Sequence, residues 1–207
     1  MLEVNTRPKS TALYERIRKH ILEGQYFPGQ WLKQADLEES YNASRSEVRA
    51  ALSTLAERGI VEYIKNRGFR IFNRSPEEIR EIVEMIVVLE AAAAPGIVKN
   101  ATDKDIDELE KLAQKFDSLI ISASHAELRL TNYRFHDMLN SLCGNNLMAQ
   151  TIRNLRECCV SGPFQRYTTF SGLQESSCEH FDIVSAVRKR DAGALESLLR
   201  QHATHAT

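Results

Sequence analysis

What most constrains this chain is a change of hydrophobic period near residue 75. Before that point, short apolar stretches are broken by turn residues and mix helical with strand-like spacing. Beyond it, every apolar stripe keeps the three-to-four-residue spacing of an amphipathic helix. Thr102 and Asp105 carry a helix-start signal, and further amphipathic segments cover about 125–143, 146–161, 175–189 and 191–205. Ser75-Pro76-Glu77-Glu78 marks the switch: an N-cap serine, a proline at the first helical position and a glutamate placed to close a capping box. Two units follow, residues 1–74 and residues 75–207, each able to bury its own core.

In the front unit, STALYERIRKHILEG (10–24) carries Leu13, Ile17 and Ile21 at helical spacing and stops at Gly24. FPGQ (27–30) is a turn, and DLEESY (36–41) a short helix. NA (42–43) turns again into the helix SRSEVRAALSTLAERG (44–59). IVEYI (60–64) and FRIF (69–72) are strands flanking Lys65-Asn66-Arg67-Gly68, a hairpin. Short helix, tight turn, longer helix is the layout of a helix-turn-helix. Val48, Ala51, Leu52 and Leu55 form the inward stripe of the longer helix, leaving Arg45, Arg49 and Ser53 outward. Ser44 with Glu47 fixes where that helix starts. Two arginines four apart can offer forks to guanine edges or to phosphates, although such a pair is also an ordinary solvated face.

Charge is divided in the same way. Residues 1–75 hold 13 Lys and Arg against 9 Asp and Glu, a net of +4, and residues 76–207 hold 14 against 19, a net of −5. A basic front and an acidic back suit a polyanion-binding module joined to a second function. Nothing near the N-terminus resembles a signal peptide, and the longest apolar run, Ile86 to Pro95, is interrupted by Glu90 and too short to span a bilayer. A cytoplasmic protein with no membrane partner is expected. Cys143, Cys158, Cys159 and Cys178 show no CxxC spacing and are expected to be reduced core thiols.

The stretch ASRSEVRAALSTLAERGIVEYIKNRGFRI (43–71) closely resembles the winged helix-turn-helix of the GntR family of bacterial transcription regulators, and the likeness extends back through residues 12–32. The resemblance implies that Arg45 and Arg49 contact DNA, supported by Ser44, Ser46 and the wing-tip pair Arg67-Gly68. It departs from many relatives at Gln34-Ala35, where they carry a glutamate-arginine pair, so a DNA contact from that arginine is not expected here.

In the back unit, three of six histidines fall on apolar faces of separate helices. His136 shares a stripe with Leu128, Asn132, Phe135, Leu139 and Leu142; His180 lines up with Val184 and Val187; His202 continues Leu195, Leu198 and Leu199. One inward histidine is usually a satisfied core residue, but three in one bundle are costly as unrelated polar groups. Imidazoles converging with a side-chain oxygen describe a site for Zn²⁺, Ni²⁺ or Mn²⁺. Segments 132–148 and 178–202 resemble the all-helical FCD ligand-binding domain of the FadR-like branch of the same family. The resemblance implies a divalent metal held at Asn132, His136, His180 and His202, approached by a small carboxylate effector, in a homodimer that changes its grip on DNA. Asn132 stands where many relatives have aspartate, and Ile86 where they have an arginine four residues before the glutamate matching Glu90. Glu90 and Arg129 are candidate effector-site residues, Arg129 being either a substitute anion contact or simply a solvated arginine.

The expected fold is therefore mainly α, a winged helix-turn-helix followed by an all-α bundle. The expected function is that of a homodimeric DNA-binding regulator, most simply a repressor released from a palindromic operator by a small organic acid. Two alternatives stay open: a bundle whose histidines bind ligand without metal, and a metal-dependent hydrolase. The hydrolase would need a general base near the metal, for which Glu90 is the only inward carboxylate apparent.

Overall fold

The structure, a computed structural model, describes residues 9–122, 124–159 and 169–204. It divides into two compact units, Met1–Arg74 and Ser75–Thr207.

The first unit contains α1 (Lys9–Leu22), β1 (Trp31–Leu32), α2 (Gln34–Tyr41), α3 (Arg45–Glu57), β2 (Val61–Ile64) and β3 (Gly68–Ile71). Its three strands are antiparallel in the order β1-β3-β2. The expected stripes meet in one core: Leu13, Ile17 and Ile21 of α1 pack against Val48, Ala51, Leu52 and Leu55 of α3, with Phe69 and Ile71 of β3 beneath them. Asn42 takes a left-handed conformation (φ 49°) at the turn between α2 and α3, a role asparagine fills because its short polar side chain tolerates that region. At the hairpin tip Asn66 and Gly68 both have positive φ, which reverses the chain sharply enough to pair β2 with β3. The strand β1 was not expected. It exists by pairing Trp31 with Arg70 and Leu32 with Phe69.

The second unit is helical throughout its described residues: α4 (Pro76–Asn100), α5 (Asp103–Leu119), α6 (His125–Ser141), α7 (Asn146–Cys159), α8 (Phe170–Arg188) and α9 (Ala192–Thr204). Capping boxes at Ser75, Thr102 and Ser124 start α4, α5 and α6. Thr169 caps α8, which begins earlier than the expected residue 175. The expected helix ends at 161 and 205 lie outside the described residues. The main core joins Ile97, Ile106, Leu109, Phe135, Leu139, Ile152, Ile183, Leu195 and Leu199, one stripe from each helix. Of the cysteines, Cys143 and Cys159 are buried as expected, whereas Cys178 is exposed on α8. No described helix is long and apolar enough to cross a membrane.

Candidate functional site

In the front unit the capping box at Ser44 fixes the first turn of α3, with the Ser44 hydroxyl also 3.1 Å from Ser46 Oγ. Arg45 and Arg49 follow on the exposed face, and neither makes an ion pair among the described residues. Arg67 is exposed at the hairpin tip beside Gly68. The cationic groups named from sequence thus lie on accessible surface, at the start of α3 and at the wing.

In the bundle, His136, His180 and His202 come together from α6, α8 and α9 with ligating nitrogens within 4.8 Å of one another. All three rings are buried. His136 Nδ1 lies 3.0 Å from Arg156 Nη2, His136 Nε2 lies 3.0 Å from His202 Nε2, and His202 Nδ1 lies 2.6 Å from Glu179 Oε2. Arginine only donates, so His136 Nδ1 accepts and its proton sits on Nε2. That proton is donated to His202 Nε2, which places the His202 proton on Nδ1, facing Glu179. One direction of donation therefore runs Arg156, His136, His202, Glu179. Burial, then the Arg156 charge, holds the His136 pKa well below the usual histidine value, and burial lowers that of His202 despite the opposing pull of Glu179.

Arg156 is held by Glu90. Its Nε and Nη2 donate to the two Glu90 oxygens at 2.6 and 2.8 Å, and Asn140 Nδ2 donates to Glu90 Oε1 at 2.8 Å. Glu90 is wholly buried and Arg156 mostly so, and removing Arg156 would leave an unpaired buried carboxylate at a cost of about 3–5 kcal/mol. Ile86, where an arginine was absent from the expected pattern, packs with Val83, Cys159 and Ala203. Sequence reading missed Arg156. The available signal was Glu90 itself, a carboxylate in an apolar stripe that needs a cation, with Arg156 one turn beyond the core residue Ile152 on α7.

Two corrections concern charged groups. Glu90 is not the sole inward carboxylate, since Glu157 and Glu179 are buried as well, Glu157 accepting from Tyr133 Oη at 2.7 Å. Nor is Arg129 a simply solvated side chain. It is half-buried, its Nε is shielded from solvent without a hydrogen-bond partner among the described residues, and burial lowers its pKa.

Asn132 lies one turn before His136 on α6, and Ser176 one turn before His180 on α8. Phe116, Leu128 and Leu173 cluster further toward the starts of α6 and α8, so the two helices run in the same sense past the centre. Asn132 Oδ1 and Ser176 Oγ are buried without hydrogen-bond partners among the described residues. Buried polar atoms of this kind are rare in native proteins, and each calls for a partner such as a water, an ion or a ligand.

These groups fit a divalent metal. Three imidazole nitrogens make a nitrogen-rich donor set. The 3.0 Å gap between His136 Nε2 and His202 Nε2 is close to the ~3.3 Å edge of a tetrahedron with bonds of 2.0–2.1 Å.

A winged helix-turn-helix joined in one chain to a helical bundle with a buried polar centre is the build of a DNA-binding transcription regulator with its own sensor. Comparison with known proteins agrees. Residues 9–71 match the gntR family of bacterial regulatory proteins, and residues 81–205 match the FCD domain. The chain belongs to the GntR family and carries an FCD domain. It is 25% identical to the HTH-type transcriptional repressor RspR of Escherichia coli over 95% of this chain and 86% of that protein. It is also 25% identical to the E. coli HTH-type transcriptional repressor GlaR, covering 91% and 90% of the two chains. In structure it resembles E. coli McbR/YncC, with a TM-score of 0.87 over 96% and 95% of the chains at 18% identity. Membership of a family of regulatory proteins sets the hydrolase alternative aside.

Proposed function

We propose that the protein is a homodimeric repressor whose residues 1–74 read operator DNA and whose residues 75–207 sense a small organic acid. The observation that carries this reading is the convergence of His136, His180 and His202, with Asn132 one turn before His136 on α6 and its oxygen unpartnered among the described residues. Those four residues would hold a divalent ion, zinc, nickel or manganese, which when bound supplies open coordination positions for a carboxylate. Arg129 and Ser176 offer a cation and a hydroxyl on the same two helices, for the acid's remaining polar groups. Glu90 acts indirectly, by holding Arg156 against His136. In the head, Arg45 and Arg49 read base edges and phosphates, Ser44 and Ser46 order the start of α3, and Arg67 with Gly68 carries the wing contact. Occupation of the centre shifts the bundle helices and, in a dimer, the spacing of two recognition helices against half-sites fixed by DNA geometry.

A second reading has its own support. The chain from Arg156 to Glu179 satisfies the facing nitrogens of His136 and His202 without a metal, as a centre that binds the acid directly would require. A thermal-shift screen of organic acids, with and without added zinc, nickel or manganese, separates the two. The main reading expects stabilisation by an acid only when metal is present, and stabilisation by the acid alone would select the metal-free centre. No shift with any acid under either condition would contradict both.

A further inference from the structure

Trp31 is the only tryptophan of the chain. It stands on β1 directly across from Arg70 of β3, which stands across from Glu62 of β2. Opposed residues in an antiparallel sheet project from the same face, so the three form one row, on the side away from the buried Phe69 and Ile71. Arg70 Nε donates to Glu62 Oε1 at 2.8 Å, and its guanidinium lies 5.7 Å from the indole centre. Arg67 reaches the same ring from the hairpin tip, its guanidinium 4.5 Å from the centre. An exposed arginine at a hairpin tip ordinarily samples many rotamers. Stacking on an indole, with the turn closed by Arg67 N donating to Ile64 O, favours one of them.

Arg67 also lines a groove of about 370 Å³, whose walls include Lys33, Ala35, Glu38, Arg45 and Gly68. Three of these side chains are cations against one carboxylate, and all three cations are exposed. The methyl group of Ala35 leaves the groove open, and Arg45 joins it to the first turn of α3. We propose that this groove seats a phosphate of the DNA backbone, and that Trp31 is the positioning residue that aims Arg67 at it. The proposal rests on the assignment of the front unit to duplex DNA and is independent of the effector centre. Its role is to fix the register of α3 on the duplex, as phosphate contacts do.

The test is retention of a labelled duplex from upstream of the chain's own gene, measured by fluorescence anisotropy across a salt series. Arg67→Gln and Lys33→Gln should each reduce the slope of log affinity against log salt by about one. Trp31→Leu should weaken binding by about two- to fivefold, the worth of one exposed cation–π contact, and Trp31→Phe should recover most of it. In an Arg67→Gln background Trp31→Leu should cost nothing further. Equal losses in both backgrounds, or failure of phenylalanine to rescue, would overturn the role of Trp31, and unchanged salt slopes would overturn the phosphate seat. Should Trp31→Leu fail to fold, the indole emission of the otherwise intact protein decides. It should change on saturation with duplex and cease to do so in Arg67→Gln, and an emission indifferent to duplex overturns the proposal. Loss of binding on Arg45→Gln with no effect at Trp31 would sink this inference alone, whereas a protein that retains no duplex removes the assignment of the head and this seat with it.

Discussion

Proton placement among buried histidines decides how the bundle answers acid. His136 and His202 are neutral in the fold because burial penalises their charged forms, whereas in the unfolded chain each titrates near 6.5. Below that value the unfolded state takes up protons that the fold refuses, so stability is lost as pH falls. Each histidine contributes a slope of up to about 1.4 kcal/mol per pH unit in this window. Urea midpoints of protein stripped of metal should therefore drop between pH 7.5 and pH 5.5, and a midpoint that holds or rises would contradict the burial argument. Asn132 makes a second prediction. A neutral amide leaves an ion's charge uncompensated, so Asn132→Asp should tighten metal binding by about tenfold or more while weakening the response to carboxylate. Isothermal titration of both ligands checks it, and the opposite pair of results would refute it. The histidines themselves were legible because each sits on its helix's apolar stripe. Arg156 and Glu179 were not. Arg156 is defined by Glu90 on a helix 66 residues away, and Glu179 is next to His180 on α8, turned toward α9 rather than along the stripe.

At the scale of elements, helix starts were the clearest feature of the sequence, because a capping box is a local device complete within four residues. The structure forms those expected at Ser44, Ser75 and Thr102. The strand β1 was invisible for the opposite reason: two residues have no period, and only β3 makes them a strand. The early start of α8 was hidden by Gly172, which weakens a helical pattern in sequence but is buried here beside Leu173. Gly96 is more informative. It lies within α4, one residue after Pro95, and a Cβ there would stand 2.0 Å from the carbonyl oxygen of Cys143. The backbone of α4 and the turn after α6 touch at this point, and neither can yield as a flexible side chain would. Gly96→Ala should cost about 1–3 kcal/mol through overpacking and lower the melting temperature by several degrees. Differential scanning calorimetry reads this directly, and an unchanged melting temperature would contradict the close approach.

For the whole molecule, a basic head and an acidic bundle share one chain with a net charge of −1. That division, visible in the sequence, agrees with the two compact units and with the two family matches on either side of residue 75. The central claim is that the histidine centre governs the hold on DNA. Its most direct test is the anisotropy of a labelled upstream duplex, bound to the protein and titrated with the organic acid that gives the largest thermal shift. The wild-type protein should release the duplex, and a His180→Ala/His202→Ala variant that still folds should retain it throughout. Release from that variant at the same acid concentration as from the wild type would contradict the central claim.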